Sequence, residues 1–405
     1  MRARLAITAI ASVAFLAAGC STSGGGAADT SAPTGQSGTQ ESGDVYRIGY
    51  NSSQTGGLAY SDVSASMGVK MAIDEINAAG GIDGKWKIEL TIEDNRSDPG
   101  QSAVVARDLL AKKAQLQICT SDADPCIAAG NIAQQAKIPT ISTAATSPTL
   151  PGAVGDYMFM SVFGDNTQTT VGADYAIEQG YKSAYLLCSP DSSYTSKSCD
   201  YFEHVFTGKG GTIAGKGSFT LGAADFSGEV TRISNLSPKP DVIFTPAYPP
   251  DAPTFLKQLR AAGIQIPVIS MDGVDSQATI DAGGSAVDGL VFTTHGFPAE
   301  GTPTAAFWEA YHKKYGKDPE SVFAATGYDL VKVVEAAVKK AGSTDPTKVR
   351  DAMDSLTDVE GATGKITYAG QNRIPLKTVY LVQIKDGKFT LLGTKTPNPD
   401  DIPAP

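Results

Sequence analysis

Hydroxyl-bearing residues follow one predicted strand at the point where that strand ends. The run at 142–149 (STAATSPT) comes directly after a predicted strand at 139–142. Small residues of this type leave backbone N–H groups open and add hydroxyl donors, which is an arrangement suited to holding a carboxylate. Ser121, after the predicted strand at 116–120, is a further candidate donor. An ordinary Ser/Thr turn explains the same composition equally well.

An acidic residue stands at the end of another predicted strand. Asp272 follows the apolar run at 267–270. Ligands of open α/β sheets sit beyond the carboxyl ends of the strands, so we expect Asp272 at the mouth of a cleft. A carboxylate in that position gains strongly from a ligand ammonium once water is excluded. The structural alternative is an aspartate that caps the N-terminus of a helix.

The sequence lacks the motifs of common enzymes. It has no H-E-x-x-H, no G-x-S-x-G, no P-loop and no G-x-G-x-x-G after a predicted strand. The three histidines, His204, His295 and His312, are isolated and stand at no metal-ligand spacing from a cysteine pair. We therefore expect a protein that is not an enzyme and that carries no metal or organic cofactor.

The first twenty residues resemble a bacterial lipoprotein signal. Arg2 and Arg4 precede an apolar run at 5–16 that is too short to span a bilayer, and small residues at 17–19 precede Cys20. The pattern predicts removal of residues 1–19 and lipidation of Cys20. The alternative is an ordinary secretory signal with a chance cysteine. We expect an extracytoplasmic protein held to the cell membrane by its N-terminal lipid.

Composition beyond the signal predicts a tether and argues against nucleic acid as a partner. Residues 20–43 contain almost no large apolar side chain, so they should form a flexible linker. The net charge of −10 becomes −12 when Arg2 and Arg4 are removed with the signal. An acidic chain without a block of lysine and arginine is a poor ligand for nucleic acid.

Four cysteines remain after Cys20. An even number in an oxidising compartment favours two disulfides. The short spacings favour Cys119 with Cys126 and Cys188 with Cys199, although three pairings are formally possible.

The folded part of the chain alternates between strand-like and helix-like patterns. About 360 residues follow residue 44, which is more than one average core holds and natural for two domains. The alternation of strand-like and helix-like patterns predicts parallel sheets covered by helices on both faces. Three helical patterns then follow in succession, and the last two strand patterns are joined by Asp386-Gly387, a hairpin signal.

Three segments resemble a known family in the same order along the chain. They are YRIGYNSSQTGG at 46–57, MGVKMAIDEINAAGGIDG at 67–84 and ISTAATSPTL at 141–150. The sequence is similar to the substrate-binding proteins of branched-chain amino-acid ABC importers, within the leucine–isoleucine–valine-type (type I) periplasmic-binding family. The resemblance runs from about residue 45 to residue 392.

The resemblance implies an α/β fold of two lobes, each a mainly parallel sheet flanked by helices. Three interlobe crossings are expected near 162–165, 292–297 and 368–373. Lobe one would comprise 45–163 and 296–368, and lobe two would comprise 164–295 and 369–395.

The resemblance also implies the chemistry of a ligand-binding site. Hydroxyls and N–H groups of lobe one would hold an α-carboxylate, an alanine carbonyl and an acid would receive the ammonium, and aromatic rings would cover the ligand. The residues at these positions are Thr146 and Ser121, then Ala144 and Asp272, then Tyr60, Tyr194 and Tyr248. Asp272 departs from the glutamate common in the family by one methylene.

The function implied is capture of a small, branched-chain-like amino acid by hinge closure and its delivery to ABC permease subunits with their cytoplasmic ATPases. Two alternatives stay open. The same fold could bind urea, a short amide or an aromatic carboxylate, or the chain could be a receptor lipoprotein that senses a ligand without transport.

Overall fold

Helices and strands alternate along most of the chain. The computed structural model of the protein describes residues 45–405, so the predicted signal peptide, the lipidation site Cys20 and the linker at 20–43 lie outside the described residues. The strands are β1 Val45–Ser52, β2 Lys87–Asp94, β3 Leu116–Cys119, β4 Thr140–Ser142, β5 Met158–Met160, β6 Ser183–Cys188, β7 Thr212–Ser218, β8 Val242–Phe244, β9 Val268–Ser270, β10 Val291–Thr294, β11 Val359–Gly361, β12 Gly364–Ile366, β13 Val379–Lys385 and β14 Lys388–Lys395. The helices are α1 Ala59–Ala78, α2 Pro99–Ala111, α3 Ala123–Gln135, α4 Leu150–Val154, α5 Asp165–Glu178, α6 Ser193–Gly208, α7 Ser227–Asn235, α8 Asp251–Ala261, α9 Gln277–Gly283, α10 Pro303–Tyr315, α11 Phe323–Ala341 and α12 Pro346–Asp354.

Two sheets organise the molecule. The first has five parallel strands in the order β2-β1-β3-β4-β5. The second has seven strands in the order β14-β13-β10-β9-β8-β6-β7, and only the β10–β13 and β13–β14 pairs in it are antiparallel. Strands β3, β4, β8, β9 and β10 are buried along their whole length, as expected of parallel strands covered on both faces.

The chain crosses between the two sheets three times. It leaves the first sheet after β5, leaves the second after β10 for helices α10 to α12, and returns to the second at β13. Helices α11 and α12 pack in the core of the five-stranded sheet. The two-lobed α/β fold with three crossings is therefore confirmed.

Local sequence signals set many element boundaries. Asp98 caps α2 by accepting a hydrogen bond from the Gln101 N–H at 2.6 Å, and Pro99 fills the first helical position. Helices α10 and α12 begin in the same way, with a capping side chain followed by proline. Asp386 and Gly387 have φ of 51° and 67°, so the predicted hairpin joins β13 and β14 through a turn with both central residues left-handed.

Helices α1 and α11 lie in unusually close contact. A Cβ built on Gly68 would lie 1.7 Å from the carbonyl oxygen of Ala324, and one built on Gly327 would lie 2.2 Å from that of Ala65. Only glycine allows the two backbones to approach this closely. This contact lies in the first half of both helices, and the first turn of each helix carries a residue of the site.

Three short elements are not predicted by the sequence patterns. Helix α4 has five residues, and strands β5 and β11 have three each. Segments of this length are too short to display a helical or an alternating period. None of the helices within residues 45–405 is long and apolar enough to cross a membrane.

Candidate functional site

A small cavity, with about 30 Å³ of space for water-sized groups, lies between the two sheets, where strands from both sheets end. Residues that follow β3, β4, β8 and β9 form much of its wall, as expected for ligand sites of open α/β sheets. The cavity is lined by Leu58, Tyr60, Ser61, Ser121, Asp122, Ala144, Thr146, Tyr194, Tyr248, Asp272, Gly273 and Phe323. All seven residues assigned from the family resemblance are among them.

The loop after β4 presents open polar groups to the cavity. The carbonyl of Thr146 accepts a hydrogen bond from the Asp165 N–H at 2.7 Å, and the hydroxyl of Ser142 donates to the Ala145 carbonyl at 3.2 Å. These bonds hold the loop in place. The backbone N–H groups of Ala144 and Thr146 donate to no other residue in the described part of the chain. Together with the Thr146 hydroxyl they form a set of donors suited to an anion.

Ser121 is positioned by a buried aspartate on α1. Asp62 accepts hydrogen bonds from the N–H groups of Ser53 at 2.6 Å and Ser121 at 2.9 Å, and from the Thr120 hydroxyl. Burial raises the pKa of Asp62, while these hydrogen bonds oppose the shift. The hydroxyl of Ser121 lies 2.6 Å from that of Ser61, so the two form a pair at the cavity wall.

Both disulfides favoured by the spacing are present, and both lie beside the site. Cys119 with Cys126 ties the end of β3 to α3, on either side of Ser121. Cys188 with Cys199 ties the end of β6 to α6. Each covalent link closes a short segment that carries a residue of the cavity wall.

Asp272 is held by side chains from α5, from α6 and from the loop after β10. One carboxylate oxygen accepts from the Tyr194 hydroxyl at 3.0 Å and from the Gln168 amide at 2.8 Å. The other lies 3.0 Å from His295 Nε2, which is fully buried. Asp272 opens a short 3-10 helix at Asp272–Val274, yet no side-chain cap bond forms there. The helix-cap alternative for Asp272 is therefore wrong, and its carboxylate belongs to the cavity.

A second carboxyl group lies behind Asp272. The Gln168 amide also donates to Asp165 at 3.1 Å, so one amide nitrogen bridges the two acids. Burial, then the charge of Asp272, raises the pKa of Asp165 to about 8, and the hydrogen bond from Gln168 opposes the shift. At neutral pH Asp165 is mainly protonated, which spares the site a second buried negative charge.

Aromatic rings from both sides meet over the cavity. Tyr60 on α1 stacks on Tyr248 with ring centroids 6.3 Å apart, and it meets Phe323 edge-on at 6.3 Å. Tyr194 on α6 lies 6.1 Å from Tyr248. The Tyr60 hydroxyl donates to the Gly273 carbonyl at 3.0 Å, so α1 is bonded directly to the loop after β9. The cleft is closed in this structure.

Five lining residues were not assigned from the sequence. Asp122 and Gly273 directly follow assigned residues, so adjacency was a usable signal for them. Leu58 and Ser61 flank Tyr60 in the same way. Phe323 had no local signal, because it enters the cavity from the start of a helix far along the chain.

Comparisons with known proteins decide the family. The sequence profile of the periplasmic binding protein family matches residues 45–388. The chain belongs to this family. A curated relative, Leu/Ile/Val-binding protein homolog 3 of Brucella melitensis, is 24% identical over 344 residues, covering 84% of this chain and 92% of that protein.

Two solved structures share the periplasmic binding protein fold with this chain. A leucine-binding protein from Thermotoga maritima has a TM-score of 0.81 and 27% identity, covering 88% of this chain and 99% of that one. A branched-chain amino acid transporter substrate-binding protein from Streptococcus pneumoniae was solved with isoleucine. It has a TM-score of 0.79 and 28% identity, covering 88% of this chain and 100% of that one. Both are similar across nearly the whole folded region, so the resemblance found in the sequence extends to the fold.

Proposed function

We propose that this periplasmic binding protein is the extracytoplasmic solute-binding component of an ABC importer and that it captures a small α-amino acid. The family is one of binding proteins, and the similar proteins from Brucella melitensis and Streptococcus pneumoniae are described as binding branched-chain amino acids. The partners would be ABC permease subunits, with ATPases on the cytoplasmic side.

The opposite chemistry of the two cavity walls carries the proposal. On one wall the N–H groups of Ala144 and Thr146 and the Thr146 hydroxyl are donors for a carboxylate. On the other wall, the Asp272 carboxylate is an acceptor for an ammonium, and the carbonyl of Ala144 on the first wall is a second acceptor. An α-amino acid carries both groups on one carbon, so it can satisfy both walls at once.

Hinge closure is the proposed mechanism of capture. The ligand would bind first to the donors around Thr146, and the lobe carrying Tyr194, Tyr248 and Asp272 would then close over it. A ligand that touches both lobes binds the closed form more tightly than the open form, and this difference shifts the population towards closure. The bond between Tyr60 and Gly273 would form in the same step.

Several finer assignments are proposed on the sequence alone. Residues 1–19 would be removed, Cys20 would carry the lipid anchor, and 20–43 would be the tether. The lobes would divide as 45–163 with 296–368 and 164–295 with 369–395. The lipoprotein-like signal supports the first three assignments, and the breaks between helical and strand patterns support the division into lobes.

A second candidate ligand is an aromatic carboxylate. The rings of Tyr60, Tyr248 and Phe323 offer aromatic faces, and the donors around Thr146 suit any carboxylate. Such a ligand has no ammonium for Asp272 to receive. The role of Asp272 therefore separates an amino-acid binder from a binder of aromatic acids, urea or short amides.

A thermal-shift screen with Asp272→Asn tests the proposal. We expect amino acids to raise the melting temperature of the wild type, because ligand at a hundredfold its Kd adds about 2.7 kcal/mol of stability. In Asp272→Asn the ligand ammonium loses the charge opposite it, which should weaken the binding free energy by about 2 kcal/mol or more, or roughly thirtyfold in Kd. The same panel includes benzoate, urea and acetamide.

Asp281→Asn is the matched control, because Asp281 is an exposed α9 carboxylate that, within residues 45–405, accepts only from Gln277 on its own helix. It should leave every shift unchanged. If Asp272→Asn binds amino acids as well as the wild type, or if only non-amine compounds stabilise the wild type, the amino-acid proposal is wrong. Stabilisation by benzoate alone would establish the aromatic-acid alternative.

A further inference from the structure

Asp122 places a second carboxylate on the cavity wall, in the loop between β3 and α3. It is half-buried and accepts a hydrogen bond from the Ala123 N–H at 2.7 Å. Within residues 45–405 it makes no ion pair with a lysine, arginine or histidine. Asp272, by contrast, is already held by Tyr194, Gln168 and His295.

The charges lining the cavity do not balance for a simple zwitterion. The twelve lining residues include two carboxylates and no lysine, arginine or histidine. A zwitterion whose ammonium faces Asp272 and whose carboxylate faces Thr146 leaves Asp122 unpaired. An aliphatic side chain in the closed cavity would also remove water from Asp122 without replacing its hydrogen bonds, which is costly for an ionised group.

The surroundings of Asp122 suit a cation. Asp122 and Tyr248 both line the cavity, and the charge of Asp122 contributes, after burial, to the raised pKa of the Tyr248 hydroxyl. Burial and the neighbouring charge of Asp124 raise the pKa of Asp122 itself to about 6, which leaves it mainly ionised at pH 7. The stacked rings of Tyr60 and Tyr248 add aromatic faces that attract a cation.

Capping of α3 does not explain the negative charge. Asp122 is the residue before α3, and its bond to the Ala123 N–H serves the start of that helix. Serine and asparagine cap helices about as well as aspartate. A neutral residue would therefore serve the helix without placing a carboxylate in the cavity.

We infer that the cavity selects an α-amino acid whose side chain ends in a short cationic group, and that Asp122 receives this group beside Tyr60 and Tyr248. The inference rests on the proposed function, because it assigns the two zwitterionic groups to Thr146 and Asp272. The side chain of this ligand class is charged, whereas the isoleucine bound by the streptococcal protein has an aliphatic side chain.

Two ligands of equal shape test the inference. L-2,4-diaminobutyrate and L-norvaline have side chains of the same length that end in an ammonium and a methyl group. We expect isothermal titration of the full chain at pH 7 to show at least tenfold tighter binding of diaminobutyrate. Asp122→Asn and Asp122→Ser should bring the ratio of the two Kd values close to one while retaining the melting temperature.

Asp98→Ser is the control for capping. Asp98 is an exposed cap of α2 that accepts from the Gln101 N–H and does not line the cavity, so its replacement should leave the ratio unchanged. If the wild type binds norvaline as tightly as or more tightly than diaminobutyrate, the inference is overturned and the proposed function stands. If the tenfold preference survives in both Asp122 variants, Asp122 is not the receiving group. If neither amino acid binds, the inference is overturned, and the thermal-shift panel of amino acids decides separately whether the proposed function stands.

Discussion

At the scale of single residues, the site is organised around acids that the fold keeps close together. Asp165 and Asp272 share one amide nitrogen of Gln168, although the chain separates Gln168 from Asp272 by 104 positions. Two ionised carboxylates at this separation would repel each other in a buried setting. The raised pKa of Asp165 keeps this carboxyl group mainly protonated at neutral pH and so reduces the repulsion.

Stability should depend on pH through Asp165. Its pKa rises from an ordinary 3.8 to about 8 on folding, so the folded state holds more protons than the unfolded state between these values. The free energy of unfolding therefore falls as pH rises through this window. Asp165→Asn should remove that decline. At pH 9 the free energy of unfolding of the variant should exceed that of the wild type by several kcal/mol, since each unit of pKa shift corresponds to about 1.4 kcal/mol. Near pH 4 the free energies of unfolding of the variant and the wild type should be nearly equal.

Urea unfolding between pH 4 and pH 9 measures this dependence. Asp241→Asn provides a control of opposite sign, because the N–H groups of Lys182 and Ser183 lower the pKa of Asp241. Its carboxylate stabilises the fold above the ordinary pKa, so the Asp241 variant should lose stability at neutral pH. Parallel pH curves for the wild type and Asp165→Asn would show that Asp165 is not protonated in the folded state.

At the scale of elements, one helix pair sets the positions of two aromatic lining residues. Tyr60 lies in the first turn of α1, and Phe323 is the first residue of α11. The glycines Gly68 and Gly327 let the two helix backbones touch. Small changes at this contact should therefore reach the cavity, although neither glycine lines it.

Gly327→Ala should separate α1 from α11. Its added methyl would meet the Ala65 carbonyl, so the helices must shift, and overpacking of this kind costs about 1–3 kcal/mol. We expect a lower melting temperature and weaker ligand binding, because Tyr60 and Phe323 move apart. Thermal unfolding and titration calorimetry measure the two effects.

Gly228→Ala in α7 is the matched glycine control. No atom lies within 4 Å of a Cβ built there, and alanine favours the helix by up to about 1 kcal/mol. This variant should be as stable as the wild type or more so, with unchanged ligand binding. A Gly327→Ala protein that binds as tightly as the wild type would mean that the helix contact does not position the rings.

At the scale of the whole molecule, contacts across the cleft hold the closed form. The Tyr60 hydroxyl bonds to the Gly273 carbonyl, and the Ser193 hydroxyl donates to Asp124 at 3.1 Å. Each of these bonds joins residues on opposite sides of the cleft. They stabilise closure and add to the free energy that the ligand supplies.

Tyr60→Phe should weaken closure without removing the ring. Loss of one hydrogen bond costs about 0.5–1.5 kcal/mol, so we expect roughly two- to tenfold weaker ligand binding. Small-angle X-ray scattering should show a smaller radius of gyration on ligand addition, and the variant should need more ligand for the same change.

Tyr46→Phe is the control, because the buried Tyr46 hydroxyl has no hydrogen-bond partner among the described residues. It should bind ligand like the wild type. If Tyr60→Phe binds equally well, the lobes close without the bond to Gly273, and the bond is a consequence of closure and not a contributor to it.

The sequence by itself determined the order of strands and helices, the ends of many of them and the loops that face the cleft. These features depend on local periods and local chemistry, such as the cap at Asp98, the turn at Asp386-Gly387 and the hydroxyls after β4. The family resemblance added the aromatic residues and Asp272, all of which line the cavity.

Only the tertiary structure decided what surrounds these residues. Gln168, His295 and Asp165 converge behind Asp272 because the second sheet sets β10 beside β9 and the first crossing brings α5 against them. Phe323 reaches the cavity because glycines let α11 pack on α1. Contacts between positions a hundred or more residues apart depend on strand order and helix packing, which no local pattern records.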